Sequence, residues 1–306
     1  MSIFPSKVVL ATDGSKEADL AGRSAAELAE KTGSELYVVH VVALPIDTQD
    51  PSSLEPEVRR RLEERSRARV DELVGGIEAV GGEVAGSHLR VGRPDAEIID
   101  QEEQIGAGLV VMGSRGRGGI RRALMGSVSD SVVRHAHCAV MVVRGGASEF
   151  PNKILLAADG SEEARLAATT AADVAERTGS ELHVLHVGEV RPVYHPAWHG
   201  YVARYEELQE EAQRLLEEQV EQVKAAGAKV AETHLGMGRP DEEIVVLGQE
   251  IGAGLIVMGN RGLGGIRRAL MGSVSDSVVR HAHCPVLVVR QGATHESIVR
   301  PSTQRG

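Results

Sequence analysis

The chain has 306 residues, of which 42% are hydrophobic and 25% are charged, and its formal net charge is −10. These proportions are typical of a protein that buries a core, and the acidic balance argues against general binding to nucleic acid or to an acidic membrane surface. No apolar run is as long as a membrane span, and the first residues lack the apolar core of a signal peptide. We therefore expect a cytoplasmic protein that binds neither nucleic acid nor membrane.

One glycine-rich segment occurs twice. It reads GSRGRGGIRRALMGSVSDSVVRHAHC from Gly113 and GNRGLGGIRRALMGSVSDSVVRHAHC from Gly259, and these starting points lie 146 positions apart. A period this long matches a whole domain rather than a solenoid repeat. We predict two domains of one fold, at residues 1–146 and 151–292, followed by a flexible tail at 293–306.

Short aliphatic runs alternate with helical patterns in each copy. In the first copy the predicted strands are KVVLAT (7–12), ELYVVHVV (35–42), EVAGSHLRV (83–91), GLVVMG (108–113) and AVMVVR (139–144). The predicted helices lie at 16–33, 55–81 and 94–106, and a fourth follows the glycine-rich loop. Regular alternation of this kind predicts a parallel sheet with helices on both faces and right-handed crossovers. The predicted fold class is α/β, with two tandem open parallel five-stranded sheets of Rossmann-like type.

The loop after the fourth predicted strand has the composition of an anion-binding site. Gly113 to Gly116 follow the strand, and nine residues later Gly126 and Ser127 open a helical pattern. Glycines let backbone amides approach an anion, a helix N-terminus adds unpaired N–H groups, and Ser127 can cap the helix. Arginines surround both loops, namely Arg115, Arg117, Arg121 and Arg122, and in the second copy Arg261, Arg267 and Arg268. Alternatively, the glycines only turn the chain and the arginines are solvated.

This glycine pattern resembles that of a known family. The spacing G-x2-G-x9-G-[S/T] occurs from Gly113 and again from Gly259, and it is similar to the ATP-binding motif of universal stress proteins. The openings KVVLATDGS and KILLAADGS, the loops VGRP (91–94) and MGRP (237–240), and the endings AVMVVR and PVLVVR also match that family's pattern. The resemblance covers both copies. It implies an adenine nucleotide alpha-hydrolase-like fold that binds ATP.

The resemblance also implies which residues form one nucleotide site in each copy. In the first copy these are Ala11, Thr12, Asp13, Val41, Gly113, Ser114, Arg115, Gly116, Arg117, Gly118, Gly119, Gly126, Ser127 and Val128. In the second copy they are Ala157, Ala158, Asp159, Val187, Gly259, Asn260, Arg261, Gly262, Leu263, Gly264, Gly265, Gly272, Ser273 and Val274. Asp13 is expected to accept from a ribose hydroxyl or to help hold Mg²⁺ with the ATP. Its alternative role is to cap the helix that follows.

The two copies differ at three of these positions. Ala158 replaces Thr12, Asn260 replaces Ser114 and Leu263 replaces Arg117. The second site thus lacks one hydroxyl and one positive charge. Since one charge-assisted contact is worth about 1.5 to 3 kcal/mol, we expect both sites to bind ATP and the first to bind it more tightly.

Aromatic residues are scarce except between residues 194 and 205. Tyr194, Trp198 and Tyr201 lie there, with His195 and His199. The aromatic side chains are interpreted either as a lid or partner surface, or as cover for a helix and the seam between domains. A zinc site at the two histidines is the less favoured reading, because no third ligand is apparent.

The remaining histidine and cysteine pairs are interpreted as structural. His135 and His137 end a helix, where cationic side chains meet the helix dipole favourably, as do their counterparts in the second copy. Cys138 and Cys284 occupy equivalent positions before the last strands, which indicates small buried residues rather than a disulfide.

No motif in the sequence identifies a catalytic group. The pattern GxxxxGK[ST] is absent, and the turn after the first strand, TDGSKE, is not GxGxxG. We therefore predict a nucleotide-binding regulator rather than an enzyme. The family resemblance implies that it is a stress-response protein that acts as an ATP-dependent switch and hydrolyses ATP slowly or not at all. A slow ATP-hydrolysing enzyme and an oligomeric scaffold with weak nucleotide binding are the alternatives. ADP, AMP and a cyclic nucleotide stay open as ligands.

The last predicted strand of each copy is apolar and would be hazardous as an exposed edge. The family resemblance implies that such strands pair about a twofold axis. We expect pseudo-twofold pairing of the two domains through AVMVVR and PVLVVR, within one chain or by exchange between chains, and a homo-oligomer such as a dimer.

Overall fold

A computed structural model describes residues 4–43, 55–79, 81–116, 125–145, 151–188, 193–195, 200–202, 205–225, 227–262 and 271–290. In the first copy the elements are β1 (Lys7–Thr12), α1 (Lys16–Thr32), β2 (Glu35–Ala43), α2 (Pro56–Glu78), β3 (Gly86–Gly92), α3 (Pro94–Ile105), β4 (Leu109–Gly113), α4 (Ser127–His135) and β5 (Ala139–Val143). In the second they are β6 (Lys153–Ala157), α5 (Glu162–Thr178), β7 (Glu181–Gly188), β8 (Val193–His195), β9 (Gly200–Val202), α6 (Tyr205–Ala225), β10 (Val230–Met237), α7 (Pro240–Glu250), β11 (Leu255–Gly259), α8 (Ser273–His281) and β12 (Val286–Val289).

The described strands form one ten-stranded sheet and a small hairpin of β8 and β9. The large sheet has the order β10-β7-β6-β11-β12-β5-β4-β1-β2-β3, and the strands are parallel within each copy. The predicted fold class is thereby confirmed. The two five-stranded halves are continuous because β5 and β12 pair antiparallel, with Met141 opposite Leu287. The expected pairing of the last strands therefore occurs within one chain.

Helices α1 and α5 cover the middle of each half with small side chains. In α1, Ala18, Ala21 and Ala25 are buried, and α5 repeats this pattern. Alanines at this spacing let the helix lie close to the aliphatic strands. The Ser15 hydroxyl caps α1 by accepting from the Ala18 N–H at 3.2 Å, and the helix ends at Gly33, whose φ of 72° is the left-handed conformation that glycine favours.

Arginines bind the two halves together beside the paired strands. The buried Arg290 donates hydrogen bonds to the carbonyls of Val133 and Ala136, at the end of α4 in the other half. Arg144, its counterpart, donates to the carbonyl of Arg280 in α8. Both arginines therefore satisfy helix carbonyls that have no intrahelical partner.

A ring of charges also crosses the boundary between the halves. Arg134 pairs with Asp130 on its own helix and with Asp276 on α8. Arg280 makes the two equivalent contacts, with Asp276 and with Asp130. The alternation of sign around the ring favours one relative placement of α4 and α8.

In both halves, the glycine-rich loop follows the carboxyl end of a strand at the point where the strand order reverses. In each half the strand order reverses between the first and fourth strands, here β1 and β4, or β6 and β11. Ligands of open α/β sheets bind beyond the carboxyl ends of the strands at this point. Among the described helices, none is long and apolar enough to cross a membrane.

Candidate functional site

The structure brings the ends of β1 and β4 together, as the sequence predicts. Asp13 follows β1, and its carboxylate lies so close to Gly116 that a Cβ there would overlap Asp13 Oδ2. Asp159 and Gly262 repeat this contact in the second half. A side chain at the second glycine of each motif would therefore have to displace the neighbouring carboxylate.

Asp13 shapes the turn into α1 but does not cap that helix. Its Oδ1 accepts from the Ser15 N–H at 3.0 Å, whereas Ser15 is the N-cap residue. The alternative role considered for Asp13 is therefore wrong, because the cap position falls two residues later. Thr12 also serves the turn, since its hydroxyl accepts from the Gly14 N–H at 3.2 Å.

Glu17, which the sequence analysis did not single out, holds the glycine loop. Its Oε2 accepts from the Ser114 hydroxyl at 2.8 Å and from the Arg115 N–H at 2.7 Å. Its Oε1 lies 2.7 Å from Nη2 of Arg115. The Arg115 guanidinium is thus already paired with Glu17, and 41% of the Arg115 side chain is exposed. An acidic residue in the first turn of α1 was the available signal, although such residues are common there for the helix dipole alone.

The first glycine of the motif meets helix α1 rather than open space. A Cβ on Gly113 would lie 3.0 Å from the backbone carbon of Glu17, and one on Gly259 would lie 2.9 Å from that of Glu163. These contacts are tighter than ordinary packing allows. Gly113 and Gly259 therefore permit close packing of the helix on the sheet, which is the structural interpretation of this part of the motif.

The third glycine lies at the N-terminus of a helix. Gly126 is the N-cap of α4, and its N–H donates to the Ser114 carbonyl at 2.8 Å. Among the residues that the structure describes, no side chain caps the helix, and Ser127 is the first helical residue, so the expectation that Ser127 is the cap is wrong. Ser127 is exposed, whereas Ser129 is buried and donates to the Gly113 carbonyl at 2.9 Å. The first-turn amides of α4 therefore face the loop edge without a side-chain acceptor.

The second half has the same arrangement around Gly272. This glycine is the N-cap of α8, again without a side-chain cap, and Ser273 is exposed. Ser275 donates to the Asn260 carbonyl at 2.7 Å. The ion pair differs, because Arg261 Nη2 lies 3.7 Å from Oε1 of Glu163, farther than in the first half.

Buried histidines connect the ends of the first and second strands. The Nδ1–H of His40 donates to the Thr12 carbonyl at 2.7 Å, and His186 makes the same bond to Ala158 at 2.8 Å. These bonds fix the strand ends next to Val41, which is half-buried. Val187 is placed likewise in the second half, and Ala11, Ala157 and Ala158 are buried in the strand ends.

Part of each predicted site lies outside the described residues. This holds for Arg117, Gly118 and Gly119, for Leu263, Gly264 and Gly265, and for the further loop arginines Arg121, Arg122, Arg267 and Arg268. The described portion brings together Asp13, Gly113 to Gly116 and Gly126 to Val128, and their counterparts in the second half.

A cavity of about 940 Å³ lies beside the first loop edge, between α1 and α2. It reaches the edge at Thr12, Gly14 and His40. Its lining carries both signs of charge, from acidic residues such as Glu27 and basic residues such as Arg69. A lining of mixed charge does not favour an anion.

The structure describes the two cysteines and part of the aromatic segment at 194–205. Cys138 and Cys284 are buried free thiols, which agrees with their structural interpretation. The aromatic segment contains the β8–β9 hairpin, which the sequence analysis did not predict. Trp198 and His199 lie outside the described residues, and the side chains of Tyr194, His195 and Tyr201 are not described.

A duplicated doubly wound α/β fold with paired glycine-rich edges defines the class of this protein. The model of the universal stress protein family matches residues 5–144 and again residues 151–290, so the chain belongs to that family. A universal stress protein of Mycobacterium tuberculosis is 33% identical over 295 residues, which cover 93% of this chain and 97% of that protein. One from Mycolicibacterium smegmatis is 31% identical over 92% of this chain and 96% of its own length. The crystal structure of a universal stress protein from Archaeoglobus fulgidus is similar with a TM-score of 0.68, 27% identity, and coverage of 93% of this chain and 96% of that chain.

Proposed function

We propose that this protein is a stress-response regulator that binds ATP at one site in each domain, with the domains at 1–146 and 151–292. The observation that carries the proposal is the glycine N-cap of α4, repeated at α8, beside a carboxylate at the switch point of the sheet. By contrast, α1 and α5 are capped by serine side chains, and α2, α3 and α7, which also lack a side-chain cap, begin at a proline that has no N–H. Helices α4 and α8, whose first-turn amides have no side-chain acceptor among the described residues, both lie at the ligand edge and are suited to phosphate groups.

In this proposal, different residues contact the phosphates, the ribose and the adenine of the nucleotide. Amides of Ser127 and Val128 and the exposed Ser127 hydroxyl are placed to donate to phosphate oxygens. Asp13 lies between the loop and the end of β1, where a carboxylate can accept from a ribose hydroxyl or contribute to Mg²⁺ binding. Val41 offers a half-buried apolar surface for the adenine.

The pairing between Glu17 and Arg115 gives the site a means of responding to its ligand. Phosphate groups that approach the edge compete with the Glu17 carboxylate for the guanidinium. Exchange of the arginine from Glu17 to phosphate would alter the first turn of α1, because the same carboxylate also holds Ser114. This coupling of loop to helix supports a switch rather than a passive store of nucleotide.

We further propose that the first site binds ATP more tightly than the second. Ala158 and Asn260 replace Thr12 and Ser114 in the second copy, so the hydroxyls that hold the turn after β1 and the glycine loop in the first half are absent there. The same proposal holds that the positive charge of Arg117 strengthens ATP binding at the first site, since Leu263 takes its place in the second.

A slow ATP-hydrolysing enzyme is the second candidate. Asp13 is a carboxylate at the phosphate edge and is the available group for orienting a water molecule. Hydrolysis that is lost in Asp13→Asn while ATP binding persists would favour this candidate. Equal release of phosphate by both proteins would exclude Asp13 as the group that orients the water, and no release above the uncatalysed rate by the unchanged protein would exclude hydrolysis.

The proposal is tested by adding a side-chain cap to α4. Gly126→Asp places a carboxylate at the N-cap, where φ is −77° and the nearest atom to a new Cβ is 3.5 Å away. Aspartate is a favoured N-cap residue, so the fold should be kept or slightly stabilised, while the carboxylate takes the amides and repels phosphate. Calorimetric titration with MgATP should give two sites in the unchanged protein and one in Gly126→Asp.

Gly272→Asp is the corresponding variant in the second half, where the new Cβ would lie 3.2 Å from Ser275 Oγ and 3.3 Å from the Asn260 carbonyl oxygen, so some loss of stability is expected. It should leave the tighter site, and the folded double variant should bind no ATP. Folded variants that bind ATP as the unchanged protein does would overturn the proposal. The cytoplasmic location and a homo-oligomer are further proposals, and since β5 and β12 pair within the chain, a dimer of whole chains needs another surface or an exchange of domains.

A further inference from the structure

Three potential metal ligands of the second domain converge at the outer edge of the large sheet. His183 lies on β7, while Glu232 and His234 lie on the edge strand β10. His183 Nδ1 is 3.0 Å from His234 Nε2 and 3.7 Å from Glu232 Oε2. His234 Nε2 is 3.9 Å from the same Glu232 oxygen. One donor atom from each residue can therefore reach a common point.

The strand register explains this convergence. Glu232 and His234 are two apart on β10 and so project from the same face. Glu232 is opposite His183, and His234 is opposite Leu185, after a shift of register between Val230 and Glu232. The cluster lies toward the amino end of β7, away from the glycine edge at its carboxyl end. It is therefore separate from the proposed nucleotide sites.

The spacing of the donor atoms suits tetrahedral coordination. With metal–ligand distances of about 2.0 to 2.1 Å, two ligands of a tetrahedral ion lie about 3.4 Å apart. The three measured separations, 3.0, 3.7 and 3.9 Å, lie on both sides of that value. Two imidazoles and one carboxylate are donors that suit Zn²⁺ and other divalent transition metals.

The environment of His183 adds an independent observation. The residue is only 3% exposed, and its Nε2 has no hydrogen-bond partner among the described residues. Glu181 Oε2 lies 3.7 Å from that nitrogen. When Nδ1 binds a metal, Nε2 carries the proton, and a carboxylate near it is the usual partner of a metal-bound histidine. The ring of His234 stacks on that of His183 and is also largely buried, with 17% of its side chain exposed.

We propose that His183, Glu232 and His234 form a binding site for one divalent transition metal ion of the Zn²⁺ type, with the fourth position open to solvent beside the exposed Glu232. The site belongs to the second domain alone. Its equivalents in the first domain are Tyr37, Gly86 and His88, of which only the histidine can coordinate a metal in this way. The register of those residues is the same, since Tyr37 lies opposite Gly86.

The test is a calorimetric titration of the tag-free, nucleotide-free protein with Zn²⁺, alongside Glu232→Gln and His234→Asn. We expect one Zn²⁺ per chain and binding at least about tenfold weaker in each variant, since even loss of an outer-shell partner costs that much. Glu232 is 64% exposed, so Glu232→Gln should fold normally even if a change at the buried His183 does not. His88→Asn is the matched control and should bind Zn²⁺ as the unchanged protein does.

A gain of binding in the first domain provides the converse test. Tyr37→His with Gly86→Glu, which supplies the two missing ligands at the same register, should raise the stoichiometry to two. Removing the tyrosine ring also frees the space that a Cβ on Gly86 needs, 3.3 Å from that ring. The proposal is overturned if the unchanged protein binds no Zn²⁺, or if binding survives in Glu232→Gln and His234→Asn. Loss of binding in His195→Asn with His199→Asn would place the metal elsewhere and overturn it too.

Discussion

Replacing Gly113 by alanine should destabilise the fold, and the added methyl group should point at helix α1 rather than at the open side of the glycine-rich loop. The new Cβ would lie 3.0 Å from the backbone carbon of Glu17 and 3.1 Å from its oxygen and Cβ. Because the obstacle is the backbone of α1, the helix must move by a few tenths of an ångström. Overpacking of this kind costs about 1 to 3 kcal/mol. In a protein of this size each kcal/mol lowers the melting temperature by about 2 to 4 °C.

Gly126→Ala is the control within the same motif. Its Cβ has no atom nearer than 3.5 Å, and its φ of −77° suits alanine, so the cost should stay below about 1 kcal/mol. Urea unfolding followed by circular dichroism measures both variants. If Gly113→Ala unfolds at the same urea concentration as the unchanged protein, or if the control loses as much, the packing explanation of the first glycine fails.

Two further predictions concern titratable groups. Burial raises the pKa of the Cys138 thiol and raises that of Cys284 to about 12, so neither should react with a disulfide reagent at about pH 8 until the protein unfolds; rapid labelling of the folded chain would contradict this. Burial opposes ionisation of Asp95, but hydrogen bonds from Arg93 and Ser131 hold its pKa below the ordinary 3.8. That stabilisation is present above the unfolded pKa and is lost as the pH falls through the lower folded value. Ser131→Ala should therefore cost about 1 kcal/mol at neutral pH and progressively less below about pH 4, as measured by urea unfolding; a pH-independent loss would refute the linkage.

The strands and helices were predictable because their signals are local. Alternation of buried aliphatic runs with amphipathic helices placed β1 at 7–12 as observed, and the fixed period transferred the pattern to the second copy. Differences arose at the ends. β3 begins at Gly86 rather than at residue 83, since its register with β2 starts at Gly86 opposite Tyr37, preceded only by one bond from the Ala85 N–H to the Leu36 carbonyl among the described residues. The β8–β9 hairpin was missed because its strands have only three residues each.

Side-chain partners at the site were harder to predict than the site itself. The glycine motif was identifiable from its spacing and Asp13 from the family resemblance. The hydrogen bonds that Glu17 accepts from Ser114 and Arg115 depend instead on how α1 packs against the loop. The cluster of His183 with two residues of β10 depends on strand register and on a local shift within it. Such contacts join residues far apart in sequence, so local sequence patterns do not predict them.

The most direct measurement is the number of MgATP molecules that one purified, nucleotide-stripped chain binds, with Gly126→Asp and Gly272→Asp measured beside it. We predict two per chain, one in each single variant and none in the double variant, with every variant shown to be folded by circular dichroism. No binding by the unchanged protein, or full binding by the folded double variant, would contradict the proposal that these glycine-capped helices hold the nucleotide.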